Sequence, residues 1–110
     1  MTNRQSLLGI GECMVELSDS GDGLLRRAFA GDVFNTLYYA SQRLPETWES
    51  SFFTALGKDP MSDEMIDFMD QSGIGTGHIQ RITNRRPGLY MIHLSDGERS
   101  FSYWREHSAA

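Results

Sequence analysis

The chain is short of the residues that most often betray a function. It has a single cysteine, Cys13, so no internal disulfide is open to it, and a reducing cytoplasm is the expected compartment. Cys13 stands in an apolar run, which points to a buried structural thiol rather than a nucleophile. His78, His93 and His107 keep no metal-ligand spacing with one another or with Cys13, so no metal site is expected. There is no basic run. Ten lysines and arginines stand against 15 carboxylates, for a net charge of -5, which argues against a nucleic-acid phosphate footprint. A small anionic ligand stays open, because it needs only one or two placed arginines. No apolar stretch approaches a membrane span and no signal peptide precedes the first apolar run, so no membrane partner is expected.

What is present is most legible toward residue 110. Leu89 to Ser95 and Glu98 to Arg105 flank Asp96-Gly97, the strongest short hairpin signal, because a type I′ turn needs φ > 0 at both central residues. With Asp96-Gly97 as the two-residue loop, Ser95 faces Glu98, Ile92 faces Phe101, Tyr90 faces Tyr103 and Gly88 faces Arg105. Alternation then places Tyr90, Ile92, Phe101, Tyr103 and Arg105 on one face. Two phenols and a guanidinium on an aromatic platform suit a polar, anionic ligand. A cross-strand aromatic cluster made for packing has the same pattern.

Upstream, Leu7 to Gly11 reads as a buried strand of a mostly parallel sheet. Cys13 to Leu17 alternates like a half-exposed strand, and Leu24 to Ala30 follows as a second one after a polar turn. Val33, Leu37, Ala40 and Leu44 fall at helical spacing, with Asp32 placed as N-cap and Pro45 as the stop. Ser51 to Gly57 is another core strand. Asp59 to Gly73 carries the clearest helix signals: Asp59 as N-cap, Pro60 at N1, acidic residues near the first turn, a Met61/Met65/Phe68/Met69 face and a glycine terminator. Ile79 to Thr83 is a weak strand, and Glu106 to Ala110 reads as the start of a helix. Strands alternating with helices indicate an α/β layered domain, and hairpins at both ends suggest a small antiparallel appendage beside it.

One local motif carries chemistry. In Gly31-Asp32-Val33-Phe34-Asn35 a glycine precedes a helix start, where free N–H groups can donate to ligand oxygens. Asp32 can accept from sugar hydroxyls and Asn35 can both donate and accept. A capped helix after a Gly-Asp turn is the plainer reading. Gly73-Ile74-Gly75-Thr76-Gly77 is not read as a phosphate loop, since it follows a helix and lacks the Lys-Ser/Thr that such a loop carries.

Taken in order, Gly11-Glu12, Gly31-Asp32-x-x-Asn35, Thr54-Ala55-Leu56-Gly57-x-Asp59, Pro87-Gly88-Leu89-Tyr90, Gly97-Glu98-Arg99 and Tyr103-Trp104-Arg105 resemble the N-terminal part of ribokinase-like (PfkB) carbohydrate kinases. The Pro-Gly-Leu-Tyr and Tyr-Trp-Arg pieces are similar to the branch acting on 2-keto-3-deoxygluconate. The resemblance implies an α/β three-layer sandwich with a β lid, formed here by Cys13–Leu17, Leu24–Ala30 and the two hairpin arms. It implies that Gly31, Asp32, Val33, Phe34 and Asn35 hold a small sugar acid. Tyr90, Tyr103 and Arg105 would close over it, with Trp104 contributing backbone or packing. It further implies phosphoryl transfer from ATP with Mg²⁺, and a possible homodimer through the lid.

The family's ATP loop and activating aspartate belong to its C-terminal half, and nothing like them stands in residues 1–110, so no catalytic residue is assigned and Asp32 is not offered as the base. The expectation is a truncated piece that binds no ATP or Mg²⁺ and is inactive alone. The alternatives are a fructokinase-type member of the same family and a non-catalytic sugar-acid binding module.

Overall fold

The computed structural model describes residues 4–110 and divides them between two sheets. The elements run β1 (Gln5–Ile10), β2 (Met14–Asp19), β3 (Leu25–Ala30), α1 (Asp32–Arg43), β4 (Trp48–Leu56), α2 (Pro60–Gln71), β5 (Ile74–Gly75), β6 (Ile79–Arg81), β7 (Leu89–Ser95) and β8 (Glu98–Trp104). In the first sheet β4 is central. It pairs in parallel with β1 on one side, and with β5 and β6 on the other.

The period of two in β4 decides which way this sheet faces. Ser50, Phe52, Thr54 and Leu56 are buried, while Phe53 between them is exposed. Both helices pack on the Phe52 face. Phe34 of α1 stacks on Phe52 at 6.1 Å, and Phe68 of α2 lies 6.1 Å from Phe34 and 5.8 Å from Tyr38. Leu37, Leu56, Met65, Met69 and Ile74 complete this core, each 2% exposed or less. Burying one such side chain stabilises by about 1.5–3 kcal/mol. The described residues thus form two layers, and the far face of the sheet carries Leu8, Ile10 and Phe53 in the open.

The two helices start differently. At α2, Asp59 is the N-cap: its carboxylate accepts from the Ser62 N–H at 3.3 Å and the Ser62 hydroxyl at 2.7 Å, and Pro60 occupies the first helical position. Ser62 Oγ in turn accepts from the Gly57 N–H at 3.0 Å, tying the helix start to the end of β4. Burial pushes the Asp59 carboxyl up, but these hydrogen bonds outweigh it and hold it below its ordinary value. At α1 the N-cap is Gly31, with no side-chain cap, and Asp32 is the first helical residue rather than the expected cap. Gly31 is required by a crossing of the chain: a Cβ there would lie 2.4 Å from the Glu12 carbonyl oxygen. Leu44 ends α1 as its C-cap, its N–H bonded to the Ala40 carbonyl, so it does not extend the apolar face.

The second sheet has the order β3-β2-β7-β8. It uses the four expected strands, with ends moved by a residue or two. It is not antiparallel throughout. β2–β3 and β7–β8 are antiparallel hairpins, but β2 joins β7 in parallel, from Val15 opposite Leu89 to Ser18 opposite Ile92. The β7–β8 register is the one derived from the turn: Ser95 opposite Glu98, Ile92 opposite Phe101 and Tyr90 opposite Tyr103. Asp96 at φ 52° and Gly97 at φ 80° are both left-handed, as a type I′ turn demands.

Two further readings need correction. Glu106 to Ala110 does not begin a helix. It turns back, with Ser108 bridged to Arg86 and the Ala109 N–H donating to the Arg86 carbonyl at 3.0 Å. Those peptide groups find partners across the chain that a single helical turn could not give them. The weak strand is shorter than expected, Ile79–Arg81, and the two-residue β5 was not foreseen. Among the described residues, no helix is long and apolar enough to cross a membrane.

Candidate functional site

Where the start of α1 faces the β7–β8 hairpin, an open hollow of about 480 Å³ lies between the two sheets. Gly31, Asp32, Val33 and Asn35 line it from the helix side, and Tyr90, Phe101, Tyr103 and Arg105 from the hairpin side. The lack of a side-chain cap at α1 leaves first-turn N–H groups available to a ligand. The Asn35 N–H is already engaged, donating to the Gly31 carbonyl at 2.7 Å.

The hairpin wall is an aromatic platform. Tyr90 and Tyr103 stack at 5.9 Å, and Phe101 lies 6.3 Å from each. Tyr90 is half-buried, and Tyr103 is 55% exposed. Burial, then the charge and hydrogen bond of Glu16 opposite it on β2, then the neighbouring Tyr103 and Asp32, push the Tyr90 phenol up to about 12. It therefore enters any contact at neutral pH as a protonated donor and acceptor.

Two of the sequence-derived residues stand elsewhere. The Phe34 side chain is buried in the core at 2% exposure, so only its backbone can border the hollow. Trp104, 57% exposed, alternates to the other face of β8 and lines a separate depression with Arg86, Pro87 and His107. The hollow also contains residues that sequence reasoning did not assign to it: Glu12, Met14 and Phe101. Phe101 was legible from the hairpin register. Glu12 was not, because its importance comes from an ion pair with Arg105, 93 positions away.

Beneath this wall Cys13 is 1% exposed, and burial reinforced by the Glu12 charge pushes its thiol well above the ordinary range. It is an inert packing residue. Gly73 to Gly77 does not cradle an anion either: Gly73 terminates α2 at φ 81° and Ile74–Gly75 is β5. Among the described residues no group of three His, Cys, Asp or Glu side chains could hold a metal ion.

Comparison with known proteins gives this geometry a setting. Residues 5–110 match the family model described as "pfkB family carbohydrate kinase". The chain is 46% identical over 103 residues to a 2-dehydro-3-deoxygluconokinase of Dickeya dadantii, which covers 92% of this chain and 33% of the relative. Among solved structures, a fructokinase with bound ATP from Xylella fastidiosa superposes at TM-score 0.79 and 28% identity, over 94% of this chain and 31% of that one. A 2-dehydro-3-deoxygluconokinase from Thermotoga maritima superposes at TM-score 0.82 and 23% identity, over 96% of this chain and 34% of that one, which speaks for the fold alone. The chain spans about a third of the length of the curated relatives it matches.

Proposed function

Because the chain belongs to the pfkB family of carbohydrate kinases, with the ribokinase-like fold, we propose that its hollow is the sugar side of a kinase active site. In this reading the substrate is 2-keto-3-deoxygluconate and the reaction moves the γ-phosphoryl group of ATP onto its terminal hydroxyl. Residues 1–110 are the N-terminal part of the kinase domain, and the β3-β2-β7-β8 sheet is its lid. The observation that carries the proposal is the convergence of Tyr90, Tyr103 and Arg105 with the uncapped helix start at Gly31 on one hollow.

Each residue has a distinct task. Arg105 offers a guanidinium to the sugar carboxylate. The Tyr90 and Tyr103 phenols meet hydroxyls and cover the carbon chain. Asp32 accepts from hydroxyls, and Asn35 with the helix N–H groups donates to oxygens. Val33 and Phe34 shape the backbone there, and Trp104 packs behind the arm. For ATP and Mg²⁺, the described residues offer no group of three His, Cys, Asp or Glu side chains, and Gly73 to Gly75 ends α2 and forms β5. In the proposal ATP and Mg²⁺ are held by chain outside Met1–Ala110, and no step is assigned to them. What these residues do is bind and orient the sugar, which lowers the entropic part of the barrier. The reading also carries a cytoplasmic location and a homodimer through the lid, where Leu24, Leu25 and Leu94 are exposed.

One observation favours a second reading, a fructokinase-type substrate. Arg105 is already paired with Glu12, and a neutral keto-hexose needs no cation. Calorimetric titration of the chain with 2-keto-3-deoxygluconate and with fructose separates the two. The proposal expects binding of the acid, and a tenfold to hundredfold loss on Arg105→Met confined to the acid, on the order of the 1.5–3 kcal/mol of a charge-assisted contact. Binding of fructose alone, indifferent to Arg105, would replace it with the second reading. A coupled ADP-release assay on the chain by itself is expected to read blank.

A further inference from the structure

The pair between Glu12 and Arg105 joins the two walls of the site. Glu12 lies in the link between β1 and β2, with its side chain only 14% exposed, while Arg105 follows β8 and is 52% exposed. The contact has a particular form. Arg105 Nη2 donates to Glu12 Oε1, and Glu12 Oε2 is buried without any partner. This is not the two-pronged fork that an arginine and a carboxylate often form. Here one guanidinium nitrogen is held and the remaining N–H groups of Arg105 have no side-chain partner among the described residues. Gly88, just before β7 and close to Arg105, makes room for this arrangement. A Cβ at 88 would lie 2.7 Å from Glu12 Oε2 and 3.3 Å from Arg105 Cβ.

From this geometry, and resting on the sugar-acid reading above, we infer that Glu12 is a positioning residue: it anchors one edge of the Arg105 guanidinium so that the other edge is presented to a ligand carboxylate. The buried carboxylate is the fixed member and the half-exposed arginine the member being fixed. An arginine at the end of a strand otherwise spends its rotamer freedom when it binds, and an anchor removes much of that cost beforehand. Glu12 touches no part of the substrate in this proposal. It acts through Arg105, and its effect is confined to ligands that carry a carboxylate.

The test uses the whole chain and two readouts. Nitrogen-15 spectra of the arginine side chains report whether Arg105 rotates freely, and calorimetry reports affinity for 2-keto-3-deoxygluconate and for fructose. With Glu12 intact, the Arg105 terminal nitrogens should be resolved from one another. In Glu12→Ala they should average, and affinity for the keto acid should fall about tenfold, much more than any change for fructose. Glu12→Gln keeps an acceptor at the same place and should recover part of the loss, and it serves as the comparison if the alanine variant does not fold. Arg105 signals that are the same with and without the Glu12 carboxylate would overturn the inference. So would tighter binding of the acid by the variants, since Glu12 would then be competing with the ligand. If Arg105 is fixed by Glu12 but the intact chain binds no keto acid, the sugar-acid reading is what fails.

Discussion

Two aromatic clusters of this protein are spent in opposite ways. In the helix-covered sheet Phe34 and Phe52 are buried to 2% and 0% and stack on each other. On the β7–β8 hairpin Phe101 and Tyr103, stacked at 6.3 Å, are 48% and 55% exposed. The same residue types thus serve cohesion in one region and surface in the other. A platform of stacked rings left open beside an arginine gives up burial, and under the proposed function that cost is the cost of a binding surface.

The contrast can be broken most directly with one substitution made in both places. Phe52→Ala should destabilise the chain by about 3–5 kcal/mol through a cavity under both helices, whereas Phe101→Ala should cost under about 1 kcal/mol. Urea unfolding measures both, and equal losses would abolish the distinction. The next effect belongs to the helix-covered region. Asp59→Ala removes the cap of α2 and should cost about 1 kcal/mol at neutral pH. The folded-state pKa of Asp59 is depressed, so its contribution is present above the unfolded value and is lost as pH falls through the folded one. The gap between wild type and variant should therefore close on acidification, which thermal melts across the acid range will reveal.

A smaller effect concerns the contact between the regions. Arg27 of β3 meets Glu64 of α2 at 2.5 Å and lies over the Phe29 ring, but both charged side chains are about half exposed, at 44% and 52%. Arg27→Met should cost no more than about 0.5–1 kcal/mol, less still in high salt. A larger loss would mean that the sheets are held together more firmly than their exposed contacts suggest. The last expectation is a pH signature of the second sheet. The Tyr90 phenol, raised from 10.0 to about 12, favours the folded state as long as it keeps its proton. Its contribution is complete below 10 and disappears as pH climbs toward 12. Phenolate absorbance of wild type against Tyr90→Phe should show one late-ionising tyrosine missing from the variant.

Legibility in the sequence followed the range of the interactions. The hairpin register came from two residues, Asp96 and Gly97, because a turn is a local contract between neighbours. The start of α2 came from Asp59-Pro60, where cap and first-turn proline are adjacent. Family resemblance supplied the helix start at Gly31 as a site element. What stayed hidden depended on distant partners. Asp32 looked like a cap, yet the chain crossing at the Glu12 carbonyl makes Gly31 the residue that fits there. The segment after Glu106 looked helical until Arg86 offered it backbone partners. Glu12 was only a letter in a motif, since its pairing with Arg105 spans nearly the whole chain.

The parallel seam between β2 and β7 has a consequence for the order of folding. Each flanking hairpin closes a short loop and can form within about 1–10 μs. Their union, Val15 beside Leu89, closes a much longer loop that contains β3, α1, β4, α2, β5 and β6, and is expected to form later. Glu12 and Gly31 lie on one side of that seam, and Tyr90 and Arg105 on the other. In pulse-labelled hydrogen exchange the Val15 amide, bonded to the Gly88 carbonyl at 2.8 Å, should gain protection after the amides within the β7–β8 hairpin. With that outcome the hollow would be a late feature of assembly, and a ligand that fills it would act on a late step.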